Sequence, residues 1–93
     1  MQREKLTESI VNGKLERLNR WKFDRDRIKT RRQFPNFAAA LEFVNNVGAL
    51  AEEADHHPDI SFGWGYAEIV LTTHDRAGVT DVDLALAEKI DEI

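Results

Sequence analysis

Histidine is the side chain whose ordinary pKa, about 6.5, lets it give and take a proton near neutrality. This sequence has three of them, His56, His57 and His74. Two are adjacent in Asp55-His56-His57-Pro58, and the third lies in Thr73-His74-Asp75. Carboxylates stand close by. Glu52 precedes His56 by one helical turn and can orient that ring, Asp55 and Asp75 flank the histidines, and Asp83 follows. Such a set supports proton transfer or metal binding. Three imidazoles and a carboxylate can hold zinc or iron. However, adjacent histidines chelate poorly from regular structure, and neither H-x3-H nor H-E-x-x-H spacing occurs, so no metal is expected. A serine hydrolase has no support, because no G-x-S-x-G elbow is present and Ser9 and Ser61 have no special setting.

Taken singly, each residue also has an ordinary structural reading. A histidine at a helix end is commonly a dipole-compatible cap. Asp83 stands three residues after Thr80 and fits a capping box, and Glu52 fits a solvated helix position. The His-His-Pro triplet is harder to account for in this way. Proline after a helix end forces a turn that sends two imidazoles into one neighbourhood.

The elements that must position these groups are legible as periodicities. Leu6, Ile10, Leu15 and Leu18 suggest a helix from Thr7, its cap, to about Asn19, weakened by Gly13. Trp21 and Phe23, the polar turn Asp24-Arg25-Asp26-Arg27, and Ile28 to Phe34 suggest a short antiparallel hairpin. After Pro35, with Asn36 as N-cap, a helix should bury Phe37, Ala40, Leu41, Val44, Val47, Gly48 and Ala51 and end near Asp55. Ile60, Phe62 and Trp64 alternate as a strand, Gly65 offers a turn, and Ala67, Ile69, Leu71 and Thr73 alternate as another. Thr80 opens a last helix with Val82, Ala85, Leu86, Ile90 and Ile93 inward. The order helix-β-β-helix-β-β-helix predicts an α+β, two-layer fold, with a four-stranded antiparallel sheet and helices on one face.

Ninety-three residues suffice for one domain, here residues 1–93, and so small a core favours self-association. The absence of Cys removes disulfides and thiolate chemistry. No apolar run approaches the roughly 20 residues of a membrane span. The start MQREKLTES lacks a signal peptide's apolar core, so a cytoplasmic protein with no membrane partner is expected. Residues 1–33 hold 11 of the 13 Lys and Arg and 5 of the 17 acids, a local balance of +6, against −10 for the remainder. That asymmetry fits a solvated basic helix face and strand edge. A nucleic-acid partner is not expected, because no aromatic-rich groove accompanies the basic residues.

In their mutual spacing these residues resemble the pterin-4a-carbinolamine dehydratase family. The family motif is Glu, three residues, His-His-Pro, five residues, an aromatic, nine residues, His, then Asp after eight or more. Glu52, His56-His57-Pro58, Trp64, His74 and Asp83 meet every spacing. The similarity extends through FPNFAAALEFVNNVGALAEEADHHP and THDRAGVTDVDLALAEKI, and is looser over the first third of the chain. Two positions depart from the pattern. Gly65 stands where the family often has Asn, and Arg32 where it commonly has an apolar residue, which bears on how the second strand packs.

The resemblance implies dehydration of 4a-hydroxytetrahydropterin to quinonoid dihydropterin, which recycles pterin after aromatic amino acid hydroxylation. It implies no cofactor, since the pterin is the substrate, and a homodimer or homotetramer. His56 and His74 become the expected proton-transfer pair, with His57 contacting the pterin. Glu52, Asp55 and Asp83 would orient imidazoles or bind the pterin's amide-like edge. Pro58 shapes the turn, and Trp64 either walls the pocket or belongs to the core. Family members are also known as dimerisation cofactors of a transcription factor, so a non-catalytic interaction module is the alternative.

Overall fold

The computed structural model describes residues 4–93. Its elements are α1 (Glu8–Leu15), β1 (Lys22–Phe23), β2 (Ile28–Gln33), α2 (Phe37–Ala54), β3 (Asp59–Gly63), β4 (Tyr66–Leu71), a single 3-10 turn (His74–Arg76) and α3 (Asp81–Asp91). The strands form one antiparallel sheet in the order β1-β2-β4-β3, with the three helices packed on one face, so the α+β expectation holds. Among the described residues no helix is long and apolar enough to cross a membrane.

Alternation fixes which sheet face is covered. Ile28 and Thr30 of β2 and Ala67, Ile69 and Leu71 of β4 are buried, while Lys29, Arg31 and Glu68 point the other way. On that open face Arg31 lies opposite Glu68 in the ladder, reaches its carboxylate at 3.8 Å, and stacks on the Tyr66 ring at 4.3 Å. Lys29 and Arg31 of β2 thus lie on the open face of an interior strand rather than at the expected strand edge, and the neighbouring strand partly neutralises them.

The helix faces turn slightly from the expected ones. In α1 Val11 and Leu15 are buried while Ile10 is exposed, since Ile10 lies off the 11, 15, 18 stripe. The helix stops at Leu15, four residues before the expected end, and two tight turns carry Leu18 and Trp21 into the core (Leu18 N–H to Leu15 O, 3.0 Å; Trp21 N–H to Leu18 O, 3.0 Å). Helix α2 buries Ala40, Phe43, Val47 and Ala51, leaving Phe37 and Leu41 exposed. Phe43 takes the place expected for Leu41 because Phe34 meets its ring at 5.1 Å. Helix α3 buries Asp83, Leu84, Leu86, Ala87 and Ile90, rather than Val82, Ala85 and Ile93. Its inward face is set by Asp83, a polar residue that an apolar pattern does not count.

Arg32 resolves the question raised by its place in an otherwise inward row. Its guanidinium pairs with the carboxylate of Asp91, at the end of α3. Its Nε donates to Thr30 Oγ1 at 2.9 Å, and the group lies 6.0 Å from the Trp21 ring and 5.6 Å from that of Phe43. Trp21 Nε1 donates to the same Asp91 oxygen at 2.9 Å. A charged residue is thus accommodated under the helices by one carboxylate shared between an indole and a guanidinium. Replacing Asp91 by Ala strands both donors in a mostly covered site. The expected loss is about 2 kcal/mol, read as a lower urea midpoint with an unchanged slope.

Candidate active site

The first part of the site is built by the way α2 ends. Asp55 adopts the left-handed conformation (φ 50°, ψ 43°). The His56 N–H then reaches Ala51 O at 3.1 Å, and the Asp55 N–H reaches Glu52 O at 3.2 Å. This is a Schellman motif with Asp in the position glycine usually takes. The reversal separates two adjacent imidazoles. His56 turns inward and is 7% exposed, whereas His57 stays outside. Pro58 continues the extended chain into β3, where pairing starts at Asp59.

The second part lies at the start of α3. Thr80 caps the helix, and Asp83 closes the expected capping box, with the Thr80 N–H donating to Asp83 Oδ2 at 2.9 Å. Asp83 is fully buried and does more than cap. The Thr73 hydroxyl donates to the same Oδ2 at 2.8 Å, and His56 Nε2 contacts Oδ1 at 2.5 Å. An ionised carboxylate only accepts hydrogen bonds, and each of these three partners can donate. One buried anion therefore joins the end of α2, the end of β4 and the start of α3.

The third part is the loop after β4. Thr73 pairs with Gly78 (Thr73 N–H to Gly78 O, 2.9 Å), closing a short excursion whose first residue is His74. The His74 imidazole is exposed and makes no hydrogen bond or ion pair among the described residues. Since Thr73 holds Asp83 and Asp83 holds His56, His74 starts within one residue of the network that anchors His56.

Glu52 acts on a different ring from the one its spacing suggested. Its carboxylate pairs with His57, not His56, because the left-handed turn at Asp55 ends the helical register that would have placed His56 above Glu52. The orienting carboxylate of His56 is Asp83. Asp55 itself serves through its backbone, and its exposed side chain makes no hydrogen bond among the described residues.

Trp64 lies elsewhere. The β3–β4 register pairs Asp59 with Val70 at the histidine end and Gly63 with Tyr66 at the other, so Trp64 occupies the far turn. At ~3.3 Å per residue it stands roughly 16 Å along the hairpin from Asp59, where pairing begins beside the histidines. It is 72% exposed, which removes the core reading. Gly65 beside it has φ +84°, so this turn favours glycine, or asparagine, on backbone grounds.

Sequence reasoning missed Thr73 and gave Thr80 only a capping role. The signal for Thr73 was present. It continues the inward row Ala67, Ile69, Leu71 with a hydroxyl, and a buried hydroxyl needs a partner. Among the described residues no buried side-chain nitrogen or oxygen is left without one. No group of three or more His, Asp or Glu converges as metal ligands would among the described residues.

Comparison with known proteins gives this geometry its context. Residues 4–93 match the family model for pterin 4 alpha carbinolamine dehydratase. A candidate pterin-4-alpha-carbinolamine dehydratase of Rubrobacter xylanophilus is 48% identical over 89 residues, covering 90% of this chain and 83% of the relative. One from a Roseiflexus species is 42% identical, covering 96% of each. Among solved structures, a transcriptional coactivator/pterin dehydratase from Brucella melitensis superposes with a TM-score of 0.90 at 32% identity, covering 96% of this chain and 97% of the other. A pterin dehydratase-like RuBisCO assembly factor of the alpha-carboxysome gives a TM-score of 0.65 at 27% identity, covering 78% of this chain and 84% of the other. The chain belongs to the pterin-4a-carbinolamine dehydratase family.

Proposed function

We propose that this protein removes water from a 4a-hydroxytetrahydropterin to give the quinonoid dihydropterin, recycling pterin used in aromatic amino acid hydroxylation. The observation that carries this reading is the buried Asp83 carboxylate, which fixes the His56 ring and begins, through Thr73, the loop bearing His74. The carbon–oxygen bond at C4a breaks as an imidazolium delivers its proton to the leaving oxygen. A neutral imidazole takes the proton of the adjacent ring nitrogen, whose electron pair forms the new carbon–nitrogen double bond. Water leaves, and no electrons are gained or lost. Each transfer contributes roughly 10²–10⁴-fold. His56 and His74 are assigned to these transfers, and His57, held by Glu52, contacts the pterin. The reaction needs no cofactor.

A second reading has its own support. The Brucella structure is described as a transcriptional coactivator as well as a dehydratase, and the carboxysome protein as an assembly factor. The same fold therefore suits a partner-binding role. Phe37, Leu41 and Trp64 are exposed apolar surface that suits a homodimer or homotetramer. The proposed setting is the cytoplasm.

Stopped-flow turnover of chemically generated carbinolamine separates the two readings. The purified, chelator-treated protein should accelerate dehydration, and His56→Ala and His74→Ala should each lower kcat by roughly 10²-fold with unchanged circular dichroism. Undiminished turnover in the double variant overturns the mechanism, and no turnover in the unaltered protein leaves the interaction role.

Glu52→Gln should raise KM by about fivefold with kcat nearly retained, because it loosens a ring used in binding. A larger kcat loss for His57→Ala than for His56→Ala would transfer the proton-transfer role to the Glu52-held ring.

A further inference from the structure

The hydrogen bonds around Asp83 have a direction set by which of their groups carry hydrogens, and that direction reaches the His56 ring. Thr73 Oγ1 contacts both Asp83 Oδ2 and Thr80 Oγ1 at 2.8 Å. A hydroxyl has one hydrogen, and an ionised carboxylate has none to give. The Thr73 hydrogen therefore lies on Asp83, and Thr80 must donate to Thr73. Thr80 Oγ1 in turn accepts from the Val82 N–H at 3.2 Å, so its own hydrogen is free for that donation. The Thr80 N–H supplies the second donor to Oδ2 at 2.9 Å. With Oδ2 occupied twice, Oδ1 faces His56 Nε2, which must carry its hydrogen. Thr73, Thr80 and Asp83 are each no more than 1% exposed, so water does not compete for these bonds.

We infer that Thr73 is a positioning residue that, through Asp83, holds neutral His56 as its Nε2–H tautomer and leaves Nδ1 as the atom that exchanges protons with substrate. Its placement gives it a second hold on the site. The hydroxyl fixes the carboxylate behind His56, while its backbone bridge to Gly78 closes the loop that starts at His74. One residue thus sets the orientation of one proposed proton carrier and the starting point of the other. The kinetic consequence rests on the dehydratase reading, but the tautomer does not.

Imidazole ¹⁵N NMR on the full-length protein tests the tautomer directly. Neutral His56 should show a protonated, hydrogen-bonded Nε2 and a bare Nδ1. A neutral ring protonated on Nδ1 overturns the inference without any variant being made. Thr73→Val removes the hydroxyl at nearly constant volume. It should mix the two tautomers and lower kcat roughly tenfold or more, with KM within about twofold of the unaltered value. Thr73→Ser, which restores the donor, should recover both readouts. A folded Thr73→Val protein with unchanged His56 shifts and unchanged kcat refutes the positioning role. Should Thr73→Val not fold, the smaller Thr73→Ala serves for the same comparison. If the unaltered protein does not turn over carbinolamine, the dehydratase reading fails, while the NMR arm still decides the role of Thr73.

Discussion

The carboxylate of Asp83 is the interaction around which this molecule is arranged. Taking one such charge out of water costs several kcal/mol unless it is paired and hydrogen-bonded. Here it receives the Thr80 N–H, the Thr73 hydroxyl and His56 Nε2, and it sits in the first turn of α3, where the helix dipole favours an anion. Charge-assisted bonds of this kind contribute about 1.5–3 kcal/mol each, enough to offset the burial. The compensation is possible only while the ends of α2 and β4 and the start of α3 stay together. The requirement to satisfy one buried anion therefore assembles the site.

The same helix is fastened at its other end by a second carboxylate. Asp91 takes the Arg32 guanidinium and the Trp21 indole, eight residues or about 12 Å along the helix from Asp83. Helix α3 thereby ties the first hairpin to the histidine end of the sheet. This explains how a strand position in an otherwise inward row carries arginine. The charge is balanced by Asp91 and its flat group lies against Trp21 and Phe43. The two ends of the sheet differ in character. One carries His56, His57 and His74, and the other presents Arg31 and the exposed Trp64.

Adjacency in sequence did not mean a shared environment for the two neighbouring histidines. A single left-handed residue, Asp55, sends His56 inward to a buried carboxylate and His57 outward to an exposed one. Each ring acquires its own acid, but the two pairs differ in how much water surrounds them. Solvent surrounds the Glu52–His57 pair, whereas the Asp83–His56 pair is shielded from it.

The order of helices and strands, the covered face of β4, the caps at Thr7, Asn36 and Thr80 and the motif spacing were all legible in the sequence. The elements, the covered face and the caps depend on local periodicity and on side chains within three or four residues of one another, while the motif was read from the resemblance. Four things were not legible: the pairing of Glu52 with His57, the double use of Asp83, the burial of Arg32 and the remoteness of Trp64 from the histidines. Each is settled by groups distant in the chain. His56 and Asp83 are 27 residues apart, and Arg32 and Asp91 are 59 apart. Sequence determined which polar groups the interior would contain. Tertiary structure decided which of them meet, because a buried charge accepts whatever donors the packing of helices on the sheet brings within about 3 Å.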